Sequence, residues 1–201
     1  RMSGKFIFKH IKLQDFKQLP PAFWWLMVSF FLLMLGRFSE TFLALKAKEV
    51  GFSAAYLPAL VIFYDLIHAG IAWPAGKFAD VISRKQMLFI GLAIMVAAQG
   101  MMASVSSVMG VLMGVGLVGL HMGVTHGLLK ALIAQYTPPE IRGSAFSLFF
   151  IISGFALFLA NAIAGKLAQQ FGFYATFLAG GIFTTASLAV LYVVFLRTRA
   201  T

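Results

Sequence analysis

The chain contains no cysteine, which excludes both a disulfide framework and a thiolate metal site. Charge is also scarce, because only 11% of the 201 residues are Asp, Glu, Lys or Arg and only 6 are acidic. Soluble domains carry about 25% charged residues. Hydrophobic residues instead make up 61% of the chain, and the mean hydropathy is +0.92. A soluble domain of this length could not bury so much apolar surface, so the composition indicates a membrane protein.

Motifs for enzymatic chemistry are also missing. We find no glycine-rich phosphate-binding loop, no His-Glu-x-x-His helix and no Ser-His-Asp set at an exposed elbow. The sequence therefore predicts that the protein is not an enzyme and has neither an ATP-driven motor, a bound cofactor nor a metal centre.

Six apolar stretches are long enough to cross a bilayer as helices, which needs about 20 residues each. Their long, continuous runs differ from the short alternating segments of a membrane barrel. We predict an all-α membrane protein with a basic amphipathic cytoplasmic linker at 1–19, a six-helix bundle at 20–196 and a cytoplasmic tail at 197–201. The predicted spans are about 22–45, 54–73, 86–104, 108–134, 143–164 and 174–196.

The net charge of +10 could suggest nucleic acid as a partner, but the basic residues do not form one binding face. They lie mainly in the first 19 residues, in the loop after the second span, near the start of the fifth span and in the tail. Lys and Arg are enriched in cytoplasmic loops. We therefore predict a multi-pass protein with both termini cytoplasmic, and no nucleic-acid partner.

Polar residues are distributed unevenly among the spans. The third and sixth spans carry no charge. The first span holds Arg37 and Glu40, and the second holds Asp65 and His68. The fourth holds His121, His126 and Lys130, and the fifth holds Asn161 with Lys166 near its end. A charge inside lipid is costly and is retained where it faces a wet cavity or a partner. The spans therefore follow the order polar, polar, apolar twice, which predicts that the first, second, fourth and fifth spans line a cavity.

Two acid–base pairs stand out within these spans. Arg37 and Glu40 are three residues apart and would share one face of a continuous helix, and Asp65 and His68 have the same spacing. Since histidine titrates near neutral pH, such pairs could relay protons. A purely structural ion pair is the alternative for Arg37 and Glu40.

The fourth span holds two histidines and a stripe of glycines. His121 and His126 point about 140° apart on an ideal helix, whereas His126 and Lys130 share a face. His121 is thus the better candidate for the cavity. Gly119, Gly123 and Gly127 recur every four residues, which favours close packing of a neighbouring helix over a bending role. In the fifth span, Asn161 is expected to bond a neighbouring helix or to face the cavity.

Two loops carry recognisable motifs. The segment 76–85, Gly-Lys-Phe-Ala-Asp-Val-Ile-Ser-Arg-Lys, resembles the signature loop of the major facilitator superfamily, Gly-x-x-x-Asp-basic-x-Gly-basic-basic. Gly76, Asp80, Arg84 and Lys85 match, while Val81 and Ser83 depart from the pattern as in the weaker copy of a C-terminal half. The segment 138–146, which contains Arg142, resembles the Pro-x-x-x-Arg-Gly-x-Ala stretch of bacterial members.

This resemblance implies helices seven to twelve of a twelve-helix fold, built from two inverted three-helix repeats. It also implies an N-terminal six-helix half as partner, a bacterial inner membrane location and a conformational latch formed by Gly76, Asp80, Arg84, Lys85 and Arg142. The chain begins Arg-Met, so we expect a piece of a longer protein; a complete small protein trimmed at its start is the alternative.

The leading functional prediction is one half of a secondary transporter that moves a small solute, with protons as coupling ions and efflux as direction. Arg37, Glu40, Asp65, His68, His121, His126 and Asn161 would form the substrate or proton pathway. A permease for transition metals or metal chelates and a non-transporting structural six-helix protein are the alternatives. A channel would show a ring of repeated pore residues, which the sequence lacks.

Overall fold

The computed structural model describes residue 16 and residues 18–197, and only the backbone of Ala79, Asp80, Leu196 and Arg197. Most of the predicted 1–19 linker and the tail beyond residue 197 lie outside this range. The helices are α1 (Pro21–Gly36), α2 (Thr41–Glu49), α3 (Leu57–Val81), α4 (Arg84–Ser104), α5 (Val108–Gln135), α6 (Arg142–Phe171) and α7 (Phe173–Arg197), with short 3-10 turns at Ala54–Tyr56 and Pro139–Ile141. The described residues form no β-strand.

Six segments of the described chain are long and apolar enough to cross a membrane. The first comprises α1 and α2 together, and the others correspond to α3, α4, α5, α6 and α7. The predicted all-helical fold with six membrane-length spans is therefore confirmed.

Two details of the predicted helices are wrong. The first span is not one helix, because its backbone leaves the helical path between Gly36 and Thr41. The second span does not end at Pro74, since α3 continues through that residue to Val81. Proline removes one helical hydrogen bond, but membrane helices tolerate it where their surroundings compensate.

The spans pack in an interleaved order. The first span packs on the fifth and sixth, and the fourth packs on the second and third. The third and sixth pack against each other. The pattern of neighbours is unchanged when the first span is exchanged with the fourth, the second with the fifth and the third with the sixth. The two spans of each such pair cross the membrane in opposite directions. This is the arrangement expected of two inverted three-helix repeats.

The uncharged third and sixth spans are not peripheral within this chain. α4 buries residues such as Leu88, Leu92 and Met95, and it lies between α5 and α7. An apolar span suits the interior of a bundle as well as it suits lipid, so a lack of charge does not distinguish the two positions.

Two glycines of the predicted stripe bring α5 close to α3. A Cβ atom at Gly119 would lie 2.9 Å from the Tyr64 carbonyl oxygen, and one at Gly123 would lie 2.7 Å from the Ile71 Cβ. At Gly127 no atom would lie within 4 Å. Close packing is thus confirmed for two of the three glycines, and it fixes α5 against the helix that carries His68.

Candidate functional site

The centre of the site is the interruption of the first span. α1 ends at Gly36, and Arg37 adopts φ −105° and ψ 58°, outside the helical range. Since 16 helical residues rise about 24 Å, the interruption lies deep along the span. The segment from Arg37 to Glu40 contains no proline, so its surroundings must hold it in place.

Side chains from two other helices satisfy the interrupted backbone. Gln99 of α4 donates from Nε2 to the Gly36 carbonyl oxygen at 2.8 Å. The Ser39 amide donates to Asn161 Oδ1 on α6 at 2.8 Å, while Asn161 Nδ2 donates to the Leu157 carbonyl at 2.8 Å. Asn161 therefore forms a hydrogen bond with a neighbouring span, which was one of the two roles predicted for it. These bonds supply partners that the unwound segment cannot provide for itself.

Gln99 is a cavity-lining residue that the sequence pattern did not predict. It lies in the third span, which the charge pattern marked as having no part in the site. Its side chain is only 2% exposed, and its Oε1 atom has no hydrogen-bond partner among the described residues. The available signal was an amide side chain within the run from Met87 to Ala103, whose other residues are apolar or glycine.

Small residues allow Gln99 to reach the interruption. A Cβ atom at Gly180 of α7 would lie 2.8 Å from Gln99 Nε2 and 2.8 Å from a ring carbon of Phe38. A Cβ at Gly36 would overlap the Thr184 hydroxyl. Glycine at both positions is therefore required where α1, α4 and α7 meet.

The interrupted segment lines an open cavity of about 730 Å³. Its polar lining consists of Arg37, Ser39, Glu40, Thr41, Tyr64, Gln99, His121, His126, Lys130, Ser153 and Asn161. Its apolar lining includes Phe38, Phe149, Phe150, Leu157 and Phe177. Five of the seven residues predicted for the pathway thus line one cavity, and all six spans contribute to its wall.

Arg37 and Glu40 do not form the predicted helical ion pair. In the part of the chain that the structure describes, the Arg37 guanidinium has no carboxylate within 4.0 Å, and it donates instead to the Met122 sulfur on α5. Glu40 is exposed to the cavity and lies beside Tyr64. The shared-face argument fails because the backbone between the two residues is not helical.

His121 joins two helices. The side chain is fully buried, and its Nδ1 lies 2.7 Å from the Gly91 carbonyl oxygen of α4, to which the protonated nitrogen donates. Its Nε2 lies 3.5 Å from the Thr125 hydroxyl. The ring borders the cavity, but its bonding indicates a structural tie between α5 and α4.

His126 and Lys130 form an exposed polar pair at the cavity wall. Lys130 Nζ lies 3.1 Å from His126 Nε2, as the four-residue spacing predicts. The His68 ring of α3 approaches the His126 ring, with 5.7 Å between centroids. The tertiary structure thus places His68 next to His126, a neighbour that lies 58 positions away in sequence.

Asp65 and His68 do not line this cavity. Asp65 is exposed on α3, and the structure shows no hydrogen bond between these two described side chains. Glu40 is therefore the only carboxylate among the cavity-lining residues that the structure describes. The pathway roles of Asp65 and His68 remain predictions.

The predicted latch residues lie at one end of the bundle. Gly76 is in α3, Arg84 and Lys85 begin α4, and Arg142 begins α6. Helices that alternate in direction bring these positions to the same side. Lys85 Nζ lies 4.9 Å from the centre of the Phe195 ring, and the Asp80 side chain is outside the described part. The latch remains a prediction.

Among the described residues, no group of three or more His, Cys, Asp and Glu side chains could hold a metal ion.

Comparison with known proteins agrees with the fold. The family model described as the Major Facilitator Superfamily matches residues 18–201. This chain belongs to that superfamily. It is 27% identical over 183 residues to the inner membrane transport protein YajR of Escherichia coli, covering 89% of the chain and 40% of the relative.

A second relative is the uncharacterized MFS-type transporter MJ1317 of Methanocaldococcus jannaschii, 30% identical over 139 residues. That match covers 66% of the chain and 35% of the relative. The chain thus spans less than half the length of both relatives, and its six spans correspond to half of a major facilitator fold.

Proposed function

We propose that this chain is one half of a secondary transporter, and that its solute occupies the cavity at the interrupted first span. Membership of the major facilitator superfamily supports transport in general, and both relatives are named as transport proteins. The single observation that carries the proposal is the cavity lining contributed by Arg37–Glu40.

The physical argument starts from the backbone. In hydrocarbon, an unsatisfied backbone group costs several kcal/mol, so non-helical backbone at membrane depth survives only inside protein or beside a water-filled cavity. Here Gln99 and Asn161 satisfy part of the segment, and the remainder faces the cavity. A structural six-helix protein would have no need for this arrangement.

We further propose that an N-terminal six-helix half of the same transporter closes the cavity. The cavity is open to its surroundings, and polar lining groups such as Glu40, His126 and Lys130 are exposed in this chain. The chain also covers 40% or less of its relatives, which leaves room in those proteins for a second half. Membrane lipid would surround the remaining apolar faces.

Protons are the proposed coupling ion, with Glu40 as the carrier. A carboxylate exposed first to one side and then to the other can load and release one proton per cycle, because burial favours its neutral form and a nearby cation favours its charged form. Glu40 lines the cavity together with Arg37, which could supply that cation. An amphipathic solute suits the aromatic wall of the cavity, and export is the proposed direction.

The test uses the complete transporter in proteoliposomes with an entrapped pH-sensitive dye. Addition of a transported solute should move protons across the membrane, whereas this chain alone should behave as empty liposomes do. Saturable, gradient-driven flux by the chain alone would show that two copies can form the pathway, and the proposed second half would be wrong. A complete transporter that moves no solute from any charge class would contradict the function itself.

The proposed location is a bacterial inner membrane, with both termini and the loop before α4 in the cytoplasm, because Lys and Arg concentrate there. The lack of native cysteine permits a direct test. Val81→Cys, whose native side chain is 85% exposed, should resist an impermeant maleimide added to intact cells. Ser53→Cys, in the loop between α2 and α3, should react. The reverse labelling pattern would contradict this orientation.

A further inference from the structure

We propose that this half of the cavity binds the anionic group of an amphipathic organic acid through Arg37, His126 and Lys130. The inference rests on the proposed transport function and adds the chemical class of its solute. It follows from three features of the described cavity lining: basic groups with no carboxylate within 4.0 Å, buried polar atoms without hydrogen-bond partners, and an aromatic wall.

Arg37 carries the argument furthest. A guanidinium is always protonated and presents five N–H donors in a planar fork suited to carboxylate or phosphate. Its hydrogen bond in this structure goes to the Met122 sulfur, a weak acceptor. Within the described residues no carboxylate lies within 4.0 Å of it. A partly buried Arg with one poor acceptor retains donors for a ligand.

Lys130 and His126 extend the basic surface. The contact of 3.1 Å between Lys130 Nζ and His126 Nε2 requires the lysine to donate and the imidazole nitrogen to accept. Two ammonium donors of Lys130 are then left for other acceptors. No carboxylate in the described part pairs with either side chain. His68 adds another basic ring beside His126.

The basic groups of the described cavity lining outnumber its acidic groups. Glu40 is the only described cavity-lining carboxylate, and it lies beside Tyr64 of α3 rather than in an ion pair with Arg37. Asp65 is exposed elsewhere on α3. A cationic solute placed against Arg37 and Lys130 would meet like charge, whereas an anion would meet opposite charge and free donors.

Two further polar atoms indicate where the rest of the solute binds. Gln99 Oε1 and Ser153 Oγ are buried, lack hydrogen-bond partners among the described residues, and belong to residues that line this cavity. Buried polar atoms normally have partners, so these two atoms are available to a ligand. Phe149, Phe150 and Leu157 of α6 provide an apolar wall for an aromatic or alkyl body.

Binding of three compounds that share one ring system but differ in charge tests this proposal. The probes are 2-naphthoate, the neutral 2-naphthamide and the cationic 2-naphthylmethylammonium, each measured by equilibrium dialysis against the detergent-solubilised complete transporter. We expect 2-naphthoate to bind most tightly. Equal binding of the three probes, preference for the cation, or no binding of 2-naphthoate by folded protein would overturn the proposal.

Variants locate the anionic group. Arg37→Gln and Lys130→Gln should each weaken 2-naphthoate binding by about 10- to 100-fold, the range expected when a charged hydrogen bond is lost. Binding of 2-naphthamide should change little. Arg37→Lys should retain part of the anion preference, because it keeps the charge and loses only the fork.

Lys166→Gln is the matched control, since Lys166 is exposed on α6 and does not line the cavity. It should bind all three probes as the parent protein does. Thermal unfolding of every variant identifies any that fail to fold. If Arg37→Gln does not fold, the binding of 2-naphthoate by Arg37→Lys tests the role of Arg37 instead. An equal loss of all three probes in a folded Arg37 variant would mean a general structural role and would overturn the proposal.

This outcome is separable from that of the proposed transport function. A transporter that couples protons to a cationic solute would leave the function intact and refute the anion site. Binding selective for 2-naphthoate without transport of any solute would support the site and refute the transport function, whereas transport without proton movement would refute only the proton coupling.

Discussion

Glu40→Gln in the complete transporter is expected to reduce pH-gradient-driven solute accumulation to the level of empty liposomes. Exchange of labelled for unlabelled solute at equal pH should continue. Glutamine keeps the shape of glutamate and, like the protonated acid, both donates and accepts hydrogen bonds, but it cannot take up or release the coupling proton. Since Glu40 is the only carboxylate among the described cavity-lining residues, no neighbouring acid there could replace it. Radiolabelled solute uptake with and without an imposed pH gradient measures both properties.

Two variants serve as comparisons for this result. Glu49→Gln makes the same change nine residues along the chain, where the carboxylate pairs with Lys46 at 2.7 Å and lies outside the cavity lining. It should accumulate solute as the parent does. Asp65 is the other carboxylate predicted to carry protons. Asp65→Asn should reduce pH-gradient-driven solute accumulation less than Glu40→Gln does. Unchanged pH response in both Glu40→Gln and Asp65→Asn would contradict proton coupling through either residue.

Gly123→Val is expected to destabilise the six-helix unit by about 1–3 kcal/mol, the usual effect of overpacking a close contact. A side chain at this position meets the Ile71 side chain and, at 2.9 Å from its Cβ, the His68 carbonyl oxygen. A flexible side chain could turn aside, but the backbone oxygen of α3 cannot move without displacing that helix. The midpoint of thermal unfolding in detergent is the measurement.

Gly127→Val is the matched control because it makes the same change one helical turn away, where a Cβ would meet nothing within 4 Å. Both variants change helix propensity equally, so the difference between their midpoints isolates the contact with α3. Equal midpoints for the two variants would show that α5 does not pack closely on α3 at Gly123.

Composition and pattern were sufficient to predict most of the architecture. The six spans follow from apolar runs of membrane length, and their helical form follows because hydrocarbon offers no partner for backbone groups. The repeated order of polar and apolar spans predicted two related triplets, which the interleaved packing supports. Polar and ionisable residues inside spans also predicted five residues that line one cavity, among them Arg37, Glu40 and Asn161.

Other features could not be predicted, because they depend on residues far apart in the chain. The interruption after Gly36 has no local proline as a signal. It is held by Gln99 of the third span and Asn161 of the fifth. The pairing of Arg37 with Glu40 was inferred from helical spacing. Residues three apart share a face only within a helix, and the backbone between these two residues is not helical.

The sequence by itself determined that the protein spans a membrane, how many helices it uses and which helices bear ionisable groups. These properties depend on local hydropathy and backbone hydrogen bonding, which each segment satisfies alone. The tertiary structure decided which side of each helix faces the cavity. Thus Arg37 contacts Met122, His121 is enclosed against Gly91, and Asp65 lies outside the cavity lining. In a bundle where apolar residues face both lipid and neighbouring helices, only the contacts among helices distinguish these positions.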